Sequence, residues 1–275
     1  MAIARRALLA ATFLSCCAAT GARAYTPGEI DAAAPSKVGP MRATVTRLAS
    51  QALRGRDNDT PQSVAAQRSL IARLKKLGAG IGSAQPKDDA YRQPFTHLGQ
   101  KGTNLLAVIP GRELPDEYVV VGGHYDHLDS RSDANGHCRA NGAPGGKVCN
   151  GATDNATGAA LVIELGRAIR RLPVPPRRSV VLALWDSEED GLVGSNYYVN
   201  HPAVPLAKTV AYVNFDIQGA VLVPSIADYT FAVGSETGGP ALQSLVAASA
   251  AGPPNALREF SHIFGQARSD YVNFT

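Results

Sequence analysis

Histidine and carboxylate side chains follow three apolar runs between residues 119 and 216. Imidazole and carboxylate groups together bind hard and borderline divalent cations, and zinc accepts both kinds of ligand. The pattern therefore predicts a metal-dependent hydrolase. The candidate residues are His124 and Asp126 after the first run, Asp154 in the glycine-flanked segment that follows, Glu188 and Glu189 after the second run, and Asp216 after the third.

His124 and Asp126 are two residues apart at the end of a run that is typical of a buried strand. Alternate strand residues face the same side, so the Asp126 carboxylate can accept a hydrogen bond from one imidazole nitrogen and leave the other for a metal. His127, next in the chain, is interpreted as solvent-facing. Asp154 has two interpretations: it caps the following helix, or it bridges two metal ions where flanking glycines leave room.

Glu188 and Glu189 lie in an acidic stretch that is also compatible with a solvated surface loop. Adjacent residues point in different directions, so one glutamate can bind a metal while the other faces a metal-activated water. The second role is that of a general base, which takes a proton from the water and passes it to the leaving amine. Asp216 would complete a three-residue metal site with His124 and Asp154.

Apolar runs that alternate with a helical pattern predict an α/β sheet covered on both faces. In such folds, ligand sites gather beyond the carboxyl ends of the strands, and the candidate residues after each run fall there. The predicted strands cover residues 90–97, 103–109, 118–123, 179–184, 209–215 and 229–233, and the predicted helices begin at Met41 and Pro61 or span 156–172 and 239–250.

The N-terminal residues 1–24 have the order of a secretory signal peptide: two arginines, an apolar stretch too short to span a membrane, and small residues before a cleavage site after Ala24. Cleavage would remove three arginines and lower the formal net charge from +4 to +1, so neither a nucleic-acid partner nor stable membrane association is expected. A secreted or periplasmic location follows. Residues 25–40 lack sustained periodicity and are predicted to be a linker before a catalytic domain over 41–275.

Cleavage would leave Cys138 and Cys149 as the remaining cysteines of the chain. In an oxidising compartment a disulfide between them is the default expectation. It would close a loop rich in glycine and asparagine. Two cysteines without a CxxC spacing are a weak zinc signal.

The motifs GGHYDHLD, GATDNATG, DSEEDGLVGS and NFD occur in this order, and together they resemble the co-catalytic zinc aminopeptidases of peptidase clan MH, of the bacterial secreted type. The resemblance extends loosely from about Met41 to the end of the chain. It implies a mixed, mostly parallel sheet of about eight strands sandwiched between helices, a zinc exopeptidase-like (phosphorylase/hydrolase-like) fold, and release of N-terminal residues from peptides. It also implies that His124, Asp154 and Asp216 bind one zinc, Asp154 and Glu189 bind a second, Glu188 is the general base, and Asp126 orients His124.

Members of that family supply a further histidine to the second zinc, well downstream of a motif that here is Arg268-Ser269-Asp270, and this chain stops at Thr275. The resemblance therefore predicts a chain that lacks its C-terminal elements and is weakly active or inactive. Its second zinc would have only Asp154 and Glu189, fewer than the three protein ligands usual for catalytic zinc. Four other histidines are poor candidates for this missing ligand: His97, His137, His201 and His262.

Two other functions remain open. A glutaminyl-peptide cyclase uses one zinc on the same scaffold, and zinc stoichiometry with paired activity assays would separate it from a peptidase. An inactive metal-binding fragment is the other, and chelator-sensitive hydrolysis would exclude it. A serine hydrolase is not indicated, because no G-x-S-x-G motif is present. The expected partner is a peptide substrate, while the sequence leaves open its N-terminal residue, the physiological metal and the oligomeric state.

Overall fold

The computed structural model describes residues 24–34, 38–82, 89–129, 148–220, 224–226, 229–249, 256–265 and 268–274. Within these residues a six-stranded sheet lies between helices, and a separate two-stranded sheet follows. The elements in chain order are α1 (Pro27–Ala33), α2 (Gly39–Leu48), α3 (Pro61–Leu74), β1 (Ala79–Gly80), β2 (Arg92–His97), β3 (Gln100–Ile109), β4 (Leu114–His124), α4 (Thr157–Arg171), β5 (Arg178–Trp185), α5 (Val193–Asn200), β6 (Thr209–Asn214), β7 (Tyr229–Val233), α6 (Gly239–Ser249), β8 (Ala256–Phe260) and α7 (His262–Gly265).

The large sheet has the strand order β1-β3-β5-β4-β6, and β2 also pairs with β3. Strand β4 lies between β5 and β6 and is parallel to both. Strand β3 is antiparallel to each of its partners, so it alone opposes the direction of the other strands in this sheet. The expected mixed, mostly parallel α/β fold is confirmed. Its strands are divided between two sheets, however, because β7 and β8 form a parallel pair of their own.

Two hydrophobic layers cover the large sheet, which explains the nearly continuous apolar sequences of β4 and β5. Alternate residues of β5 enter opposite layers: Leu182 packs on the side of helices α1 to α4, and Val181 packs on the side of α5. The first layer includes Ile30, Leu48, Leu70, Leu74, Val162 and Leu165. The second layer includes Trp185 and Tyr198, with Phe274 of the C-terminal turn Asp270–Phe274 packed against them.

Residues 27–33 form helix α1, so the linker predicted over 25–40 is wrong for this part. Thr26 and Glu29 form a capping box, in which the Thr26 hydroxyl accepts the Glu29 N–H at 3.2 Å and the Glu29 carboxylate accepts the Thr26 N–H at 2.9 Å. Ile30 is buried in the first hydrophobic layer. Arg171 of α4 donates to the Ala33 carbonyl at 2.9 Å and fixes the end of the short helix.

Two further expectations, the signal peptide and the disulfide, involve residues that the structure does not describe. The predicted signal peptide, up to residue 23, and Cys138 lie outside the described residues, so the signal and the Cys138–Cys149 disulfide stay predictions. Among the residues that the structure describes, no helix combines the length and apolar character needed to cross a membrane.

Candidate metal centre

The carboxyl ends of strands β4, β5 and β6 meet at one edge of the large sheet. His124, the last residue of β4, pairs with Trp185, the last residue of β5. Strand β6 runs parallel to β4 on its other side and ends at Asn214. Glu188 and Asp216 follow these ends within three residues. The ends of three parallel strands therefore bring the sequence-predicted side chains close together.

The side chain of His124 is 1% exposed and lies among carboxylates. Its Nε2 atom lies 3.2 Å from Asp154 Oδ1 and 3.3 Å from Asp216 Oδ1, and no described protein atom makes a regular hydrogen bond with it. Ligand atoms about 2.0 Å from a tetrahedral zinc lie about 3.3 Å from one another. The residues present therefore fit the zinc ion that the sequence implies.

Carboxylates around His124 also control its protonation. Burial alone would lower the pKa of the imidazole, but Asp126, Asp154 and Asp216 raise the pKa of His124 well above its usual value. Burial would likewise raise the pKa of Asp216, yet its contact with His124 lowers the pKa of this carboxyl below its ordinary value. The site favours positive charge between these groups, and a bound divalent cation would supply that charge.

Asp126 lies beside the other imidazole nitrogen, on the side that the sequence spacing predicts. Its Oδ1 atom is 3.4 Å from His124 Nδ1, which is longer than an ordinary hydrogen bond. Its Oδ2 atom accepts the backbone N–H of Glu189 at 3.3 Å. Asp126 therefore contacts both strand ends and can orient them together.

The adjacent glutamates point to different parts of the site. Glu188 Oε2 lies 3.8 Å from His124 Nε2, whereas Glu189 Oε1 lies 2.5 Å from His127 Nδ1. Ser187 precedes them with a positive φ of 56°, which turns the chain after β5. Both glutamate side chains are mostly buried, so the surface-loop interpretation is wrong. Burial raises the pKa of Glu188 to about 9.

The solvent-facing interpretation of His127 is wrong, because its side chain is only 11% exposed. Gly151 lies against the imidazole, and a Cβ at that position would come within 2.6 Å of the ring. Ligand atoms of His127, Asp154 and Glu189 lie within 4.8 Å of one another, and His124, Glu188 and Asp216 form a second such group. Each group thus contains one histidine and two carboxylates. His127 thus lies beside Asp154 and Glu189, the two residues that the family resemblance assigns to the second zinc, and that assignment stays a prediction.

Asp154 lies in the irregular turn Ala152–Ala156 that leads into α4. The capping bond that the sequence allowed for Asp154 belongs to its neighbour, since Asn155 Oδ1 accepts the Gly158 N–H at 3.0 Å. Asn155 Nδ2 also donates to the Phe215 carbonyl at 2.9 Å. The Asp154 side chain is 37% exposed and contacts His124, while it also belongs to the group that contains His127.

Replacing Gly158 with alanine is expected to lower the free energy of unfolding by about 1–3 kcal/mol. An added Cβ would collide with the Phe215 backbone oxygen and the Asn155 side chain, so α4 would have to move away from β6. Gly28→Ala is the matched control, because nothing lies within 4 Å of a Cβ there and alanine favours a helix by about 1 kcal/mol. Urea unfolding of both variants measures the difference, and equal midpoints would contradict a tight approach at Gly158.

Arg56, which the sequence analysis did not single out, is fully buried. Its guanidinium donates to three backbone carbonyls of the site loops, at 2.5 Å to Tyr125, 2.8 Å to Asn150 and 2.8 Å to Gly151. Burial lowers the pKa of Arg56 to about 10, while the nearby carboxylates of the site favour its charged form. Arg56 therefore stays charged at neutral pH and joins the segments that carry His127 and Asp154.

The Arg268-Ser269-Asp270 motif packs beside the end of β6. Asn214 Nδ2 donates to the Ser269 hydroxyl at 2.6 Å, and the Ser195 hydroxyl donates to the Asp270 carboxylate at 2.5 Å. Burial raises the pKa of Asp270 to about 7. These bonds link the end of β6, which precedes Asp216, to helix α5 and to the C-terminal turn.

Comparisons with known sequences identify the family of the chain. The sequence profile of Peptidase family M28 matches residues 104–275. Leupeptin-inactivating enzyme 1 of Streptomyces exfoliatus is 36% identical over 129 residues, which cover 46% of this chain and 25% of that protein. The chain thus covers only about a quarter of this curated relative.

Solved structures agree on the fold. The LapA aminopeptidase of Legionella pneumophila matches with a TM-score of 0.62 at 19% identity, over 86% of this chain and 58% of that one. The glutaminyl cyclase of Porphyromonas gingivalis matches with a TM-score of 0.60 at 18% identity, over 86% of this chain and 79% of that one. The fold is shared at these identities, and the family follows from the profile match: the chain belongs to Peptidase family M28, whose members are zinc-dependent peptidases.

Proposed function

We propose that this chain is a secreted or periplasmic zinc-dependent aminopeptidase, which releases N-terminal residues from peptides. The observation that carries the proposal is that His124 Nε2 lies 3.2 Å from Asp154 Oδ1 and 3.3 Å from Asp216 Oδ1, each the separation of two ligand atoms on one zinc. Membership of Peptidase family M28 supports peptide hydrolysis. The similarity to an aminopeptidase of Legionella pneumophila supports the removal of residues from the N-terminus.

Glu188 is the group best placed to move protons in this reaction. Zinc held by the ligand residues would polarise the scissile carbonyl and acidify water. Glu188 lies on the same side of His124 as the two carboxylate ligands, with its Oε2 atom 3.8 Å from Nε2. Its carboxylate takes a proton from the attacking water and later donates that proton to the leaving amine. Burial favours the neutral acid, so a neighbouring cation is needed to keep Glu188 ionised before the reaction.

The charge of the site supports recognition of a free amino terminus. Carboxylates dominate the described site, and they attract the positive α-ammonium group of a peptide. Arg56, a nearby cation, directs its donors to backbone carbonyls and is fully buried. It is therefore not available to bind the carboxylate of a peptide C-terminus, as a carboxypeptidase would require.

Chelation is expected to abolish hydrolysis of aminoacyl p-nitroanilides, and added zinc is expected to restore it. The proposal requires a metal ion, bound by His124, Asp154 and Asp216, to activate the substrate. The release of p-nitroaniline with and without 1,10-phenanthroline measures the effect. An N-acetylated anilide is the control substrate, because it lacks the free amine and should not be cleaved. Hydrolysis that resists chelation, or equal cleavage of the acetylated substrate, would contradict the proposal.

Glutaminyl-peptide cyclisation is the second candidate, and the structural similarity to the glutaminyl cyclase of Porphyromonas gingivalis favours testing it. The same protein sample is given a peptide with N-terminal glutamine, and mass spectrometry follows the product. Loss of ammonia without release of the first residue would favour cyclisation over peptidase activity. A chain that binds zinc but performs neither reaction would be an inactive metal-binding protein.

A further inference from the structure

A chain of hydrogen bonds crosses the large sheet on the side that α5 covers. Trp185 Nε1 donates to the Tyr212 hydroxyl at 2.8 Å, and that hydroxyl donates to Asn214 Oδ1 at 2.7 Å. Asn214 Nδ2 in turn donates to the Ser269 hydroxyl at 2.6 Å. The bonds thus run from the end of β5 to the end of β6, two residues before Asp216.

Gly122 of β4 makes this chain of bonds possible. Strand β4 lies between β5 and β6, so Trp185 and Tyr212 extend from strands that are roughly 9–10 Å apart, twice the spacing of neighbours. A Cβ on Gly122 would lie 2.5 Å from Trp185 Nε1 and 2.7 Å from the Tyr212 hydroxyl. Glycine inside a strand weakens it and often marks a close approach of other groups. Here the missing side chain leaves the space in which the indole and the phenol meet.

The first member of the chain fixes the direction of every bond. The indole Nε1 of tryptophan is a donor only, so the Tyr212 hydroxyl accepts there and gives its own proton to Asn214. The Asn214 amide gives a proton to Ser269, which leaves the Ser269 proton for the carboxylate of Asp216. Burial would raise the pKa of Asp216, but its contacts with His124 and with Ser269 lower that pKa. All the donors therefore point toward a residue of the metal centre.

We propose that Tyr212 is a positioning residue for the metal ligand Asp216, and that Trp185 therefore responds to metal binding. The inference rests on the proposed zinc-dependent function. An outer partner fixes the orientation of a metal ligand, and its loss usually lowers metal affinity by about 10–100-fold. Tyr212 acts through Asn214 and Ser269, so the lower end of that range is expected. Coupling between two places is reciprocal, so an ion that fixes Asp216 also fixes the bonds that lead to the indole.

Zinc titration of the metal-free full chain tests the inference through two signals that need no substrate. Trp185 is the single tryptophan of the chain and is fully buried, so its emission reports on one place. Zinc has no redox chemistry, and a change in emission therefore reflects a change around the indole. The wild-type emission is expected to change and to saturate together with the zinc binding that calorimetry measures. The change should be absent in Asp216→Asn, which assigns it to this ion.

Tyr212→Phe is expected to bind this zinc about tenfold more weakly and to lose most of the emission change, because the ring stays and only the hydroxyl is removed. Tyr198→Phe is the matched control. Tyr198 packs against Trp185 in the same hydrophobic layer, with ring centroids 5.1 Å apart, and its buried hydroxyl makes no hydrogen bond within the described part of the chain. Its zinc affinity and emission change should equal those of wild type. Gly122→Ala separates the two rings without removing a polar group, and it should weaken the same ion.

Urea unfolding of each metal-free variant separates positioning from stability. Equal zinc affinities of wild type, Tyr212→Phe and Tyr198→Phe would overturn the inference, even where Tyr212→Phe is less stable, because Tyr212 would then serve the fold alone. A wild-type emission that does not respond to bound zinc would overturn it as well. A zinc-dependent emission that Tyr212→Phe abolishes, in a chain without peptidase activity, would support the positioning role and defeat only the proposed function.

Discussion

Glu188→Gln is expected to lower kcat by about 10²–10⁴-fold, the usual contribution of a positioned general base. Glutamine has nearly the same shape as glutamate but cannot accept a proton from water at neutral pH. Glu188 lies 3.8 Å from His124 Nε2, beyond the 3.2 and 3.3 Å separations of Asp154 and Asp216. Zinc content should therefore stay at the wild-type level. Anilide hydrolysis and elemental analysis of the same preparation measure both quantities.

Glu113→Gln is the matched control for this substitution. Glu113 immediately precedes β4, at the opposite end of the strand from His124, and forms ion pairs with Arg112 and Arg177. Exposed pairs of this kind contribute about 0–1 kcal/mol, so turnover should remain unchanged. Undiminished turnover of Glu188→Gln would remove Glu188 from the role of base. Loss of zinc from that variant would instead identify Glu188 as a ligand.

Arg56→Met is expected to lower the free energy of unfolding by about 3–5 kcal/mol, the cost of removing one member of a buried polar network. Methionine fills much of the space of the aliphatic stem, so the loss reports mainly on the hydrogen bonds. The substitution leaves the carbonyls of Leu48, Tyr125, Asn150 and Gly151 without the donors that Arg56 supplies. Urea unfolding of the metal-free chain measures the change.

Arg54→Met controls for the loss of a positive charge in the same loop. Arg54 is exposed two residues before Arg56, and surface substitutions usually change stability by less than about 0.5 kcal/mol. Arg56→Met should also bind zinc more weakly, because the segments that carry His127 and Asp154 lose their common support. Equal unfolding midpoints for the two variants would show that the buried guanidinium contributes little.

The sequence was sufficient to predict the central part of the fold and the side chains at its strand ends. Apolar runs of strand length predicted β4, β5 and β6, and a helical pattern after the second motif predicted α4. Parallel strands place their carboxyl ends at one edge, which is why the sequence alone groups His124, Glu188 and Asp216. The opposite directions of Glu188 and Glu189 also followed from their being neighbours.

Other residues depend on contacts that no local pattern encodes. The Tyr125 hydroxyl, two residues before His127, lies 2.8 Å from the Asp186 carboxylate and 2.9 Å from the Thr103 carbonyl, so residues distant in sequence position the segment that carries His127. Arg56 occupies a loop of glycine and polar residues that resembles an ordinary surface connection in sequence. Helix α1 has a local sequence signal, the Thr-Pro-Gly-Glu capping box at residues 26–29. Because residues 25–40 show no sustained periodicity, this signal did not lead to a helix prediction.

The bonds of Arg56 also bear on the order in which the protein folds. They join residues that are 69, 94 and 95 positions apart in the chain. Closing loops of that length is entropically costly, and contacts of high sequence separation form slowly. Strands β3, β4, β5 and β6 pair over comparable separations, so the contacts of the guanidinium form together with the completed sheet and not before it. The two histidine-carboxylate groups should therefore acquire their final geometry late, so that the metal encounters a nearly finished protein and acts as the last component added.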